Sequence, residues 1–309
     1  LNWGQKMFKT RIVFFGTRGQ ELTSCHLAKL VENGANLVGF VEAPPGSIST
    51  VHTEKDPYEG INEVATRFDK PLLCPQSPRE PAFITGLKEM KPDVFIIICY
   101  QFYLPAEVLA IPALGAINFH TSLLPRHAGM HPGFWTIFYG DRETGMVVHF
   151  LDEGIDTGDI IYETRVPVKP GDMINELYHR VWNTSMPLIG RLLADLDACT
   201  LPRKPQDISK YFYNYEITEK DFELDFRQTA EVLYGRVLMR PGKFYFIYHE
   251  TKYFIQRCLV VKEHVHSRKF STGIPYAVNG KLVFVTPKEF LQLDELKVDG
   301  ENIDPLSIL

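Results

Sequence analysis

Two short apolar runs bracket a helix-spaced stretch near the start of the chain, and that alternation constrains the fold more than any other feature. Residues 11–16 (R-I-V-F-F-G) are rich in β-branched and aromatic side chains and end on glycine. Leu22, Leu27, Leu30 and Val31 follow at near-helical spacing, and residues 36–41 (N-L-V-G-F-V) form a second apolar run. Strand, helix, strand at this spacing predicts parallel strands, which need a long crossover where antiparallel neighbours need only a tight turn. Further strands are predicted over 94–98, 115–119, 146–151 and 160–166, and a long helix over 173–193. The segment 42–60 reads as a long loop from its Pro, Gly and Ser content. Such loops at the carboxyl ends of parallel strands often build ligand sites.

The chain has 309 residues, more than one core usually fills. Composition changes after residue 198, where L-P-R-K-P-Q-D is linker-like. Beyond it, one helix is predicted over 227–239, and short strands near 244–248, 253–261, 277–279, 282–286 and 290–296, separated by Gly, Pro and Asn turns. The expected architecture is α/β. A Rossmann-like, mostly parallel sheet with helices on both faces occupies residues 7–200, and a small, OB-like β-barrel occupies 201–309.

A 45% hydrophobic, 23% charged composition can bury a sizeable core and argues against disorder. The net charge of −5 does not suggest a nucleic-acid binder. Five cysteines, odd in number and without a C-x-x-C pair, read as reduced thiols and not as disulfide staples or metal ligands. No apolar run approaches the roughly 18 residues of a membrane span, and no secretory signal pattern opens the sequence. A cytoplasmic location is therefore expected. Residues 1–6 precede Met7 and are read as a leader or upstream extension outside the fold.

The chemistry concentrates between residues 118 and 160. Asn118 and His120 stand two apart at the end of a predicted strand, so both point to one face, and are expected to project beyond the sheet edge. The S-L-L-P turn over 122–125 then ends the strand, and Asp152, Asp156 and Asp159 follow in a glycine-rich loop. An amide, an imidazole and a carboxylate from two loops suit attack of a neutral amine on an acyl carbon. Asn118 and a protonated His120 can donate to the oxyanion of the tetrahedral centre, and the carboxylate can orient the imidazole and relay the proton lost by the amine. His149 lies mid-strand and reads as packing. The F-F-G-T-R-G turn lacks full G-x-G-x-x-G spacing, which argues against a nicotinamide cofactor.

The pattern N-x-H-x-S-L-L-P-x-x-x-G followed by D-x-G-I-D-T-G-D resembles the folate-dependent formyltransferase family. That family includes methionyl-tRNA, glycinamide ribonucleotide and sugar N-formyltransferases. The resemblance implies a Rossmann-like domain that binds 10-formyltetrahydrofolate as formyl donor, with Asn118, His120 and Asp156 as the catalytic set. It implies a pterin pocket around Gln101, Phe102, Tyr103 and Leu104, with Leu123, Asp152 and Gly154 beside it. It extends weakly into the second unit, where E-I-T-E-K-D-F-E-L-D-F and G-K-L-V-F-V-T-P look like the barrel domain of the methionyl-tRNA and several sugar enzymes.

The acceptor side is assigned to Gly16 and Arg18 of the first turn, to His127 and His131 flanking Gly129, and to Tyr213 in the aromatic run 211–215. Transfer RNA demands many phosphate contacts, yet the loop after the second strand carries Lys55 against Glu42, Glu54 and Asp56. The turn P-R-H-A-G-M-H-P-G-F-W also departs from the P-R-W-R-G-A-A-P usual in methionyl-tRNA enzymes. The P-G-F-W helix start and V-V-H-F-L-D-E-G-I-D-T-G-D resemble the sugar N-formyltransferases more closely, which implies a nucleotide-linked amino deoxysugar as acceptor, with methionyl-tRNA the alternative. Another amine, or a non-catalytic folate-binding role, ranks lower. The barrel unit could serve dimerisation or substrate binding.

Overall fold

The computed structural model describes residues 7–43, 57–262 and 271–309. Residues 1–6 and most of the predicted loop after the second strand, Lys55 included, lie outside the described residues. The chain divides into two compact units. The first takes residues up to 129, 145–166 and 180–213, and the second takes 130–144, 167–179 and 214–309.

Seven strands form the main sheet. They are β1 (Arg11–Thr17), β2 (Asn36–Ala43), β3 (Leu72–Leu73), β4 (Val94–Ile98), β5 (Ala116–His120), β7 (Glu143–Phe150) and β8 (Ile160–Pro167), in the order β3-β2-β1-β4-β5-β7-β8. A two-stranded sheet pairs β6 (Arg126–Gly129) with β9 (Phe212–Asn214). The strands from β3 to β5 run parallel, and β7 pairs with β5 antiparallel. The parallel, helix-covered sheet expected from the alternating pattern is therefore present, with this one reversal.

Strand β1 is central because its side chains can be buried on both faces: Ile12, Val13, Phe14 and Phe15 are wholly buried. On one face Val13 and Phe15 pack with Phe83 and Leu87 of α3 (Pro81–Glu89) and Val108 of α4 (Ala106–Leu109). Each such side chain stabilises the fold by roughly 1.5–3 kcal/mol. Helices α1 (Glu21–Glu32) and α6 (Ile174–Asp197) are tied by a hydrogen bond between His26 Nε2 and Ser185 Oγ of 2.8 Å, and the His26 ring meets Phe119 edge-on. Helix α6 runs through Pro187 to Asp197. There the Asp197 carboxylate accepts the Lys9 and Thr10 amides that lead into β1. A further helix, α2 (Ile61–Arg67), precedes β3.

The second unit holds an antiparallel sheet that curls as a half-barrel. Its strands are β10 (Tyr245–Tyr248), β11 (Thr251–Val261), β12 (Pro275–Val278), β13 (Lys281–Val285), β14 (Phe290–Val298) and β15 (Glu301–Ile303). The order is β10-β11-β14-β13-β12, with β15 on β14. Phe226 stacks on Phe284 at 3.9 Å between ring centroids, with Phe246 against both. Helices α5 (Pro132–Tyr139) and α7 (Ala230–Met239) complete it. Buried Arg236 lies over the Phe138 ring and donates Nε–H to the Phe138 carbonyl, capping the end of α5. No helix of the described residues is long and apolar enough to cross a membrane.

Candidate active site

Strand pairing places the site. Asn118 is in register with Ile97 of β4 and His149 of β7, and His120 faces Val147. Asn118 and His120 do share a face, as their spacing requires. They project from the sheet within its paired region, however, and not beyond its edge, because the antiparallel β7 continues the ladder alongside them.

After His120 the chain turns through Ser122, whose hydroxyl donates to the Arg126 and His127 carbonyls. His127 and Gly129 both have positive φ, at 61° and 89°. This compact turn delivers two backbone groups to the site. The His127 carbonyl accepts from His120 Nε2 at 2.8 Å, and the Gly129 N–H donates to Asp156 Oδ2 at 2.8 Å.

Asp156 stands at the centre of the arrangement. It adopts φ 55°, an uncommon conformation for a residue with a side chain, and its carboxylate is largely buried. Oδ2 lies 3.5 Å from His120 Nδ1. Oδ1 lies 3.5 Å from both Asn118 Nδ2 and His149 Nε2. Burial alone would raise its pKa. The imidazole of His120 and the Gly129 N–H outweigh that and hold Asp156 well below the usual carboxylate range. Burial has the opposite consequence for His120, whose pKa is lowered although Asp156 and the His127 carbonyl pull it up. A charged carboxylate thus meets an imidazole that burial keeps ready to accept a proton.

His149 is wholly buried and belongs to this network. Its Nδ1–H donates to the Phe150 carbonyl, which leaves Nε2 to accept from Asn118 Nδ2 at 3.2 Å. From the sequence alone it reads as packing. The available signal was its two-residue alternation with Val147 on the strand that pairs with β5, which becomes usable only once the pairing is known.

The remaining candidates divide. Gln101 Oε1 and the adjoining Tyr100 hydroxyl are buried with no hydrogen-bond partner among the described residues. The Phe102 ring meets Tyr100 edge-on, exposed Tyr103 donates its hydroxyl to the Glu153 carbonyl, and Leu104 packs in the core with Val108. Leu123 accepts the Arg126 amide. Asp152 Oδ1 accepts from the Gly154 amide and the Thr157 hydroxyl, closing its loop. Gly16 is the next-to-last residue of β1, and an added Cβ there would fall 2.3 Å from the Thr23 methyl, so a side chain would push α1 away. The Arg18 guanidinium is engaged by the buried carboxylate of Glu42 at 2.6 Å. Tyr213 lies on β9 beside Phe212, which packs edge-on against His127. His131 belongs to the second unit, where it bonds Glu216 at 2.8 Å.

A carboxylate, an imidazole and an amide are thus gathered at one point of the first unit. The family model described as formyl transferase matches residues 10–190. The chain belongs to the formyl transferase family. It is 32% identical over 248 residues to the methionyl-tRNA formyltransferase of Syntrophus aciditrophicus (strain SB), covering 79% of this chain and 78% of that protein. It is 33% identical over 227 residues to that of Symbiobacterium thermophilum, covering 74% and 68%. Among solved structures it resembles WlaRD, a sugar 3N-formyltransferase crystallised with dTDP and 5-N-formyl-THF. The TM-score there is 0.63 at 14% identity, over 92% of this chain and 97% of that one. It also resembles an N-formyltransferase of Helicobacter canadensis with folinic acid and dTDP-3-aminofucose, with TM-score 0.62 at 15% identity over 92% and 99%. These two likenesses concern the fold. The formyltransferase identity expected from the N-x-H and D-x-G-I-D-T-G-D motifs rests on the family match and the sequence relatives.

Proposed function

We propose that this formyltransferase moves a formyl group from 10-formyltetrahydrofolate to the amine of a nucleotide-linked amino deoxysugar. The observation that carries the catalytic part is the Asp156 carboxylate, held within 3.5 Å of both His120 and Asn118. The donor supplies an activated formyl carbon. The buried Tyr100 hydroxyl and Gln101 carbonyl oxygen suit a ligand rich in N–H groups, such as a pterin. Folate analogues occupy both sugar enzymes named above.

Asn118 donates to the formyl oxygen as negative charge grows there, releasing its long contact to Asp156 for the purpose. His120 accepts the proton that leaves the attacking amine, and Asp156 stabilises the imidazolium so formed. His120 then returns a proton to the departing nitrogen. The chain's own groups thus remain unchanged over the cycle.

The acceptor assignment is supported by the scarcity of basic residues after the second strand, by the P-R-H-A-G turn and by the sugar acceptors of the similar folds. Methionyl-tRNA is the second reading, favoured by the sequence relatives at 32 and 33% identity. The deciding experiment measures tetrahydrofolate release with a panel of nucleotide-linked amino sugars and, separately, with methionyl-tRNA. Release with a sugar and little with the tRNA supports the first reading. Release with the tRNA alone overturns it in favour of the second.

A further inference from the structure

The Pro-rich stretch that follows α6 is fastened along the aspartate loop of the first unit. Lys204 exchanges two backbone hydrogen bonds with Ile160, at 2.8 and 3.0 Å. The Arg203 guanidinium lies 3.7 Å above the Phe150 ring and 3.5 Å from Asp159. Phe150, Asp159 and Ile160 flank the loop at its two ends, so the strap grips both of its stems. Pro205 then restricts the backbone leading into Gln206.

Gln206 reaches the loop itself. Its amide nitrogen, Nε2, donates one hydrogen to the Asp156 carbonyl at 2.8 Å and the other to the Gly158 carbonyl at 2.7 Å. Both contacts are to acceptors, so the orientation of the carboxamide is settled by the chemistry. The adjacent carbonyls are also taken: Tyr211 donates its hydroxyl to Ile155 and Tyr103 to Glu153. Inside the loop, Asp152 Oδ1 accepts from the Gly154 amide and the Thr157 hydroxyl. The backbone at Asp156 sits at φ 55°, where a residue with a side chain stays only if its surroundings compel it. The bidentate amide grips the peptide groups immediately around that residue.

We propose that Gln206 is a positioning residue for Asp156, locking the left-handed turn that aims the carboxylate at His120 and Asn118. This inference rests on the catalytic reading of Asp156 given above. Gln206 touches no reacting atom in that reading. It acts through the backbone of the loop, and the strap 203–206 is the arm that carries it. The Gln206 carbonyl oxygen remains buried without a partner among the described residues. The side chain is therefore placed for what its nitrogen does.

The test uses the full chain with Gln206→Met, which keeps length and removes both donors, and Gln206→Glu, which regains one donor when protonated. In ligand-free protein labelled at histidine Cε1, the His120 signal is followed by NMR against pH, with His120→Asn for assignment and Asp156→Asn for reference. A carboxylate close to His120 raises its pKa, so loosening Asp156 moves the midpoint to lower pH, the direction Asp156→Asn must also show. Turnover with the sugar panel and with methionyl-tRNA should fall on the order of ten- to a hundred-fold in kcat for Gln206→Met, with KM for the folate donor within about twofold. Gln206→Glu should recover relative to Gln206→Met as pH falls. A wild-type His120 midpoint in Gln206→Met, or a loss of kcat without any change in that midpoint, overturns the inference. Should Gln206→Met fail to fold, Gln206→Leu also removes both donors, and an unmoved midpoint there overturns it equally. If Asp156→Asn leaves turnover intact, the catalytic reading itself falls. If Asp156→Asn abolishes turnover while the Gln206 variants behave as wild type, only the positioning role falls.

Discussion

Asn118 and His149 are direct partners across the antiparallel junction of β5 and β7, and the Asn118 amide donates to His149 Nε2 over 3.2 Å. The ring is itself fixed, because Nδ1–H is committed to the Phe150 carbonyl. The pair therefore decides which way the Asn118 carboxamide points: its nitrogen is drawn toward His149 and Asp156.

Replacing His149 by Leu removes the acceptor while keeping the site filled. The Asn118 amide then loses its reference, and kcat should fall about tenfold or more with little change in protein stability beyond about 2 kcal/mol. Steady-state kinetics and thermal unfolding of His149→Leu check this together. Unchanged kcat would show that Asn118 needs no such anchor.

Asn118→Ala and Asp156→Asn should each cost on the order of 10²–10⁴ in kcat, the range of a single oxyanion donor or acid–base group. Because both residues act as one unit with His120, the double variant should lose far less than the product of the two single losses. Multiplicative losses in the double-variant cycle would count against a shared network.

Much of this was legible in the chain itself. The continuous apolar runs mark β1 and β4 because each of these strands is buried on both faces and so carries its own hydrophobic record. The motif residues Asn118, His120 and Asp156 stood out because polar groups cluster there at the ends of such runs. Strand β3, two residues long, and the β6–β9 pair left no trace, since pairing between distant segments is not written in local periodicity. His149 and Gln206 were passed over for the same reason. One is an ordinary alternating strand residue and the other an ordinary polar residue near prolines, and only the fold gives each its partner. The reversal of β7 was likewise invisible until its register with β5 was seen.

His26 supplies a pH dependence of stability. Burial lowers its pKa from 6.5 to about 4. Between those values the unfolded chain binds a proton that the folded chain does not, so stability rises with pH across the window and is lost as pH falls through it. The loss reaches about 3 kcal/mol at the acidic end. Thermal midpoints of wild type and His26→Gln should converge as pH falls from 7 toward 4.5. A constant gap between them would exclude His26 as the source.

Gly158 closes the aspartate loop where an added Cβ would lie 2.0 Å from the Phe150 carbonyl oxygen, a backbone atom that cannot step aside. Gly158→Ala should destabilise the protein by about 3 kcal/mol and depress kcat, since the same peptide group receives the Gln206 amide. Urea unfolding and kinetics measured together would check it, and a wild-type midpoint would mean the loop has slack.

The antiparallel docking of β7 on β5 also sets how the catalytic stretch can change over evolutionary time. Substitutions on that strand alter one side chain each, but an insertion or deletion of a single residue between Gly145 and Phe150 would carry Val148 or Phe150 to the place of His149. The stretch would keep its hydrophobicity and its strand character while its one polar group turned away. Length, more than residue identity, is the quantity this strand has least freedom to vary, and a library of variants should show gaps tolerated in the loops around it and excluded within it.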